Sequence, residues 1–177
     1  MEQDENEGLR FPIGRHIPVM SFNRDAVNAW ISEIEGFPSR FRAVVDGIRA
    51  PELEKRYRPG GWNIRQLAYH LADSHTHILI RFKWALTEDK PLIKAYYEER
   101  FAELSDSRSG PIGIALRGLE SVHERWVSLM RSMDDADFQK AFLHPETGLE
   151  NSLFDRAAHY AWHGKHHLEH VKLALSA

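Results

Sequence analysis

Four histidines, His163, His166, His167 and His170, fall within the short stretch WHGKHHLEH near the end of this chain. Imidazole nitrogen is a good ligand for zinc, nickel, copper and iron, and residues four apart on a helix project from one face. His163 and His167 have that spacing, as do His159 and His163. A further histidine, His70, lies in the helix-like run QLAYHLADSH. Three neutral imidazoles drawn from two helices would hold a divalent ion and leave its remaining positions open. That arrangement belongs to a reactive site more often than to a structural one. The chain has eleven histidines and no cysteine, which excludes disulfides, thiolate-bound zinc and a cysteine nucleophile. These residue types point to a metal-dependent enzyme.

The elements that must position these groups read as helices. A first helix is expected from Ser21 or Asn23, carrying Val27, Trp30, Ile31 and Ile34 on one face, with a kink or split at Pro38. Its pattern resumes with Phe41, Val44, Val45 and Ile48, and the breaker Arg58-Pro59-Gly60-Gly61 follows. A second helix runs from Asn63, a good N-cap, to about Leu86, with Ile64, Leu67, Leu71, Ile78, Phe82 and Ala85 as its apolar stripe. Residues 87–111 are loop-like, with a short helical turn at Tyr96–Phe101. A third helix spans about Ile112 to Met133, 134–150 is a connection, and a fourth opens near Asn151 or Ser152 and reaches about Leu175. No strand pattern stands out. The fold class is therefore all-α, a four-helix bundle over residues 21–177 behind an N-terminal tail and extended strip at 1–20.

Helical geometry, at about 100° per residue, sorts the histidines. On the fourth helix Ala157, Ala161, Leu168, Val171 and Leu175 mark the apolar arc, and His163 and His167 form the inward pair. Gly164 lies toward the core, where a small residue lets another helix approach. His159, His166 and His170 fall on the outer side, facing solvent or a neighbouring element. On the second helix His70 borders the apolar arc and His75 lies nearer its middle, so either is a possible third ligand. Periodicity does not choose between them. A lone border histidine is often only hydrogen-bonded, and a histidine cluster near a helix C-terminus also suits the helix dipole. Burying an imidazole without a partner costs about 1–3 kcal/mol, so inward rings are expected to be paired or to bind an ion.

Several motifs in order resemble a known family. RPGGWNIRQ at 58–66, HLADSH at 70–75, RFK at 81–83, LTED at 86–89 and YAWHGKHH at 160–167 are similar to the YfiT branch of the DinB-like superfamily. The strip Phe11–Gly14 and the loop His144–Thr147 fit that branch as well, so the likeness runs from residue 11 onward. The resemblance implies a four-helix bundle binding one divalent ion, zinc or nickel, through three histidines. By motif position these are His70, His163 and His167. It also implies either metal-dependent hydrolysis or transfer of a low-molecular-weight thiol such as bacillithiol, and a homodimer by analogy.

Such an ion would lower the pKa of a water ligand to about 7 and would ionise a thiol outright. The favoured expectation is thiol transfer to an electrophilic small-molecule substrate, with hydrolysis as runner-up and a non-catalytic, metal-stabilised bundle behind both. Gln66 and Asp73, one helical turn either side of His70, are candidates to orient its ring. Glu98 or Glu99, in a loop with Tyr96 and Tyr97 that would serve as a lid, are candidate bases. Trp62 would line the pocket or anchor its loop, and Arg58 and Arg81 would bind a substrate carboxylate or simply lie on the surface. A formal charge of −3 argues against nucleic acid as a partner, no apolar run spans a bilayer, and the acidic start MEQDENEG is unlike a secretory signal. A cytoplasmic location is the default.

Overall fold

The computed structural model describes residues 7–177, so the first six residues of the expected polar tail lie outside the described residues. In chain order the helices are α1 (Arg24–Val45), α2 (Ile64–Thr87), α3 (Glu98–Phe101), α4 (Ser105–Ser109), α5 (Ile112–Arg131), α6 (Asp135–Gln139) and α7 (Leu153–Ser176). A 3-10 turn at Glu52–Glu54 precedes α2, and strands β1 (Ala141–Leu143) and β2 (Glu150–Ser152) precede α7. The caps explain the starts. Asn63 accepts from the Gln66 backbone N–H while the Gln66 side chain accepts from the Asn63 N–H, a reciprocal capping box. Asn23 and Ser152 cap α1 and α7 in the same sense, through Ala26 and Asp155.

Helices α1 and α2 each pack on both α5 and α7, so the four long helices form a bundle in which α1 and α2 lie diagonally opposed. The apolar interior falls into two clusters. One contains Val27, Ile31, Ile34, Ile78, Phe82, Trp126 and Met130; the other contains Phe37, Phe41, Leu67, Leu71, Leu119, Leu168 and Val171. Along α2, α5 and α7, His75, His123, His163 and His167 fall between residues of these two clusters. Each fully buried large side chain contributes about 1.5–3 kcal/mol, and the bundle can therefore sustain a polar layer. Helix α1 packs tightly on α7 at Gly164, where a Cβ would lie 2.9–3.0 Å from ring atoms of Phe37.

Two expectations change. Pro38 does not split α1, which runs through it unbroken. Its missing N–H leaves the Ile34 carbonyl without a helical donor, and His123 Nδ1 donates to that oxygen at 2.7 Å. The 134–150 connection holds the short helix α6 and an antiparallel hairpin pairing Ala141 with Ser152 and Leu143 with Glu150. Strands of three residues are too short for period-two alternation to register in sequence. The extended strip after residue 10 lies along the outer face of α7. His170 Nε2 donates to the Arg10 carbonyl at 3.2 Å, Trp162 Nε1 donates to the Gly14 carbonyl at 3.2 Å, and the Val19 N–H donates to Asp155 Oδ1 at 2.8 Å. The strip thus descends α7 antiparallel to it, and it is the neighbouring element that the outer histidines face. Phe11 packs on His166 and His16 on His159.

Candidate metal centre

Helices α2 and α7 bring His70, His163 and His167 together, each offering a ring nitrogen within 4.8 Å of the others. Asn63 caps α2 two turns before His70, and Ser152 fixes the start of the helix that carries the other two. The Nε2 atoms of His70 and His163 are 3.2 Å apart. Two nitrogens bound tetrahedrally at about 2.0–2.1 Å from zinc stand about 3.3 Å apart, so the pair already has the edge length an ion requires. Three neutral nitrogens from two helices, with no cysteine in the chain, are a donor set that fits zinc or nickel.

The rings are neutral. Burial pushes His70 down to about 3, helped by His166 and His170. Desolvation likewise holds His163 and His167 well below the usual imidazole range, and neighbouring histidines reinforce it. Neutral rings are the form that ligates metal. Trp62 lies over the cluster, its ring centroid 4.6 Å from that of His70 and 6.3 Å from that of His167. One turn along, the Tyr160 and Ser74 hydroxyls meet at 3.2 Å.

His75, the other possible ligand from periodicity, is placed behind His163 rather than beside it. Its Nε2 meets His163 Nδ1 at 3.1 Å, and its Nδ1 meets His123 Nε2 at 2.6 Å. Helical period puts His123 on the α5 stripe with Leu119 and Trp126, a signal in the sequence that went unread. Neither Gln66 nor Asp73 hydrogen-bonds a His70 ring nitrogen among the described residues. Gln66 serves the capping box and donates to the Ala102 carbonyl at 2.9 Å and to Glu103 at 3.1 Å, tethering the 87–111 segment to α2. Asp73 has its carboxyl raised to about 6 by burial and by Asp106. A side chain one turn away on the same helix reaches along the surface more readily than across to a ring aimed at α7.

In the loop expected to act as a lid, Tyr96 stacks on His77 with centroids 4.1 Å apart. Desolvation, with Glu99 and Glu146, raises Glu98, and neither Glu98 nor Glu99 hydrogen-bonds a cluster histidine among the described residues. Arg58 donates to the Pro59 carbonyl and Arg81 to the Lys94 carbonyl, and each keeps a buried Nε without a partner among the described residues. No helix of the described residues is long and apolar enough to cross a membrane.

A family model described as the DinB superfamily matches residues 33–171. A protein of Bacillus mycoides (strain KBAB4) is 43% identical over 163 residues, covering 92% of this chain and 93% of its own. One of Bacillus cereus (strain 03BB102) is 44% identical with the same coverage, and both carry the name "Putative metal-dependent hydrolase". YfiT from Bacillus subtilis, described as "a probable metal-dependent hydrolase with an unusual four-helix bundle topology", superposes with a TM-score of 0.91 at 36% identity, over 93% of this chain and 94% of its own. A mycothiol-dependent maleylpyruvate isomerase shares the fold alone, with a TM-score of 0.52 at 14% identity over 79% of this chain and 60% of its own. With a family model across most of its length and relatives above 40% identity along nearly all of it, this chain belongs to the DinB superfamily.

Proposed function

We propose that this protein is a metal-dependent hydrolase in which His70, His163 and His167 hold one divalent ion, zinc or nickel. The observation that carries the reading is the convergence of three neutral, buried imidazoles, two of them with Nε2 atoms 3.2 Å apart. Three ligands leave a coordination position free. When bound, the ion supplies Lewis acidity that lowers the pKa of a water or polarises a carbonyl. The chain's own helices hold the three nitrogens, and Trp62 covers them on one side, with the Tyr160–Ser74 hydroxyl pair one turn along. The names borne by the relatives above 40% identity support the same reaction class.

A second reading, transfer of a low-molecular-weight thiol, draws on the same three nitrogens, because an ion that lowers the pKa of water also ionises a coordinated thiol. One experiment separates the two. Tag-free protein of measured metal content is offered chromogenic esters and alkyl halides, with and without bacillithiol. Ester turnover without thiol, lost on chelation and restored by zinc or nickel, is the expected result; turnover only with thiol would replace hydrolysis by transfer. No turnover with metal retained would reduce the ion to a structural role.

A further inference from the structure

We propose that His75 and His123 are positioning residues that lock His163 in its Nδ1–H tautomer and aim its Nε2 lone pair at the ion. The inference rests on His163 being a ligand. Its logic starts at the carbonyl that Pro38 leaves free in α1. A carbonyl oxygen only accepts, so the 2.7 Å contact between His123 Nδ1 and the Ile34 oxygen requires the proton on Nδ1. His123 Nε2 is then an acceptor, and the 2.6 Å contact makes His75 Nδ1 the donor. His75 Nε2 is in turn an acceptor, and the 3.1 Å contact makes His163 Nδ1 the donor. The only lone pair left on His163 is Nε2, the atom that faces His70 Nε2. Each ring has one donor and one acceptor, and the carbonyl sets the direction of all three bonds.

The geometry suits the role. The His75 and His123 planes differ by 18°, and both rings pack against Phe37 with centroids 6.0 and 5.7 Å away. His75 and His123 are 0% and 2% exposed, so water does not compete for these bonds. The chain ends on a carbonyl, which cannot pass a proton on, so it acts as a lock and not as a proton wire. The second α7 ligand is treated alike. His170 Nε2 donates to the Arg10 carbonyl, leaving His170 Nδ1 to accept from His167 Nδ1 at 3.2 Å, and His167 Nε2 is left for the ion. This pairing accounts for the proximity of His167 and His170 without a second ion.

The test needs first the unmodified protein, labelled with ¹⁵N and stripped of metal. Long-range ¹H–¹⁵N spectra near neutral pH should place the protons of His75, His123, His163 and His167 on Nδ1, although free histidine favours Nε2. Protons found on Nε2 of His75 or His163 would overturn the proposal whatever the metal does. Second, zinc affinity by competition with a chromophoric chelator should fall about 10- to 100-fold in His75→Phe and His123→Phe. His123→Gln, which keeps one donor and one acceptor, should recover most of that loss. Equal zinc affinity in wild type and both phenylalanine variants would refute the positioning role. A wild-type protein that binds no zinc while showing the expected tautomers would instead overturn the ligand assignment.

Discussion

The contact between α1 and α7 yields a quantitative prediction. A Cβ at Gly164 would meet three Phe37 ring atoms at 2.9–3.0 Å, where carbon pairs normally rest at about 3.5–4.0 Å. Phe37 is 2% exposed, so its ring has no solvent to move into and must press on His75, His123 and Phe41. Overpacking of this kind costs about 1–3 kcal/mol. Alanine in place of glycine inside a helix returns about 0.8–1.0 kcal/mol, which blurs the net effect. Gly118 in α5 is the control, because a Cβ there would rest 3.9 Å from that of Ala72, an ordinary contact. Gly118→Ala should therefore stabilise by about 1 kcal/mol, and Gly164→Ala should fall below it by the packing term of about 1–3 kcal/mol. Urea unfolding of metal-free protein, followed by tryptophan fluorescence, reads the difference directly. For a chain of this length it corresponds to about 2–4 °C in Tm per kcal/mol. Because Phe37 buttresses the histidine pair behind His163, zinc affinity should drop in Gly164→Ala and not in Gly118→Ala. Equal stabilisation by both substitutions would show that α1 has room to retreat and would refute the reasoning.

Other outcomes follow from the same geometry. His163→Ala and His167→Ala should each lose stoichiometric metal while His166→Ala, whose ring stacks on Trp162 at 4.4 Å, retains it; equal retention by all three, measured by elemental analysis, would remove the ligand assignment. Acid should destabilise the fold through His123, which burial lowers from 6.5 to about 4. Between those values the unfolded chain binds a proton here and the folded one does not, so stability falls as pH falls, by about 1.4 kcal/mol per pH unit for this site. His123→Gln should flatten the slope of the urea midpoint across that window, and an unchanged slope would count against it. Asn63→Ala removes the α2 capping box and the bond from Asn63 Nδ2 to Glu54 at 2.8 Å. It should cost about 0.5–2 kcal/mol, and a variant as stable as wild type would show the cap to be idle.

Much of this protein is written locally. Asn63 followed by Gln66 specifies a helix start through two reciprocal hydrogen bonds, and the four- and seven-residue spacing of Leu67, Leu71 and Ile78 orients α2 wherever it packs. The same arithmetic turns His163 and His167 inward. Sequence therefore determined the four helices, their buried faces and the spacing of the α7 histidine pair. Tertiary structure decided which groups meet across helices. Whether His70 or His75 joins that pair depends on how α2 lies against α7, and no property of either residue's own helix contains that. His123 enters only because α5 packs beside α1 at the one carbonyl that Pro38 leaves without a donor. His166 and His170 are buried beneath groups from outside α7, Phe11 of the strip over His166 and Tyr57 over His170. Periodicity is a property of one helix, whereas a site built from several elements rests on their relative placement, which packing of the whole core selects.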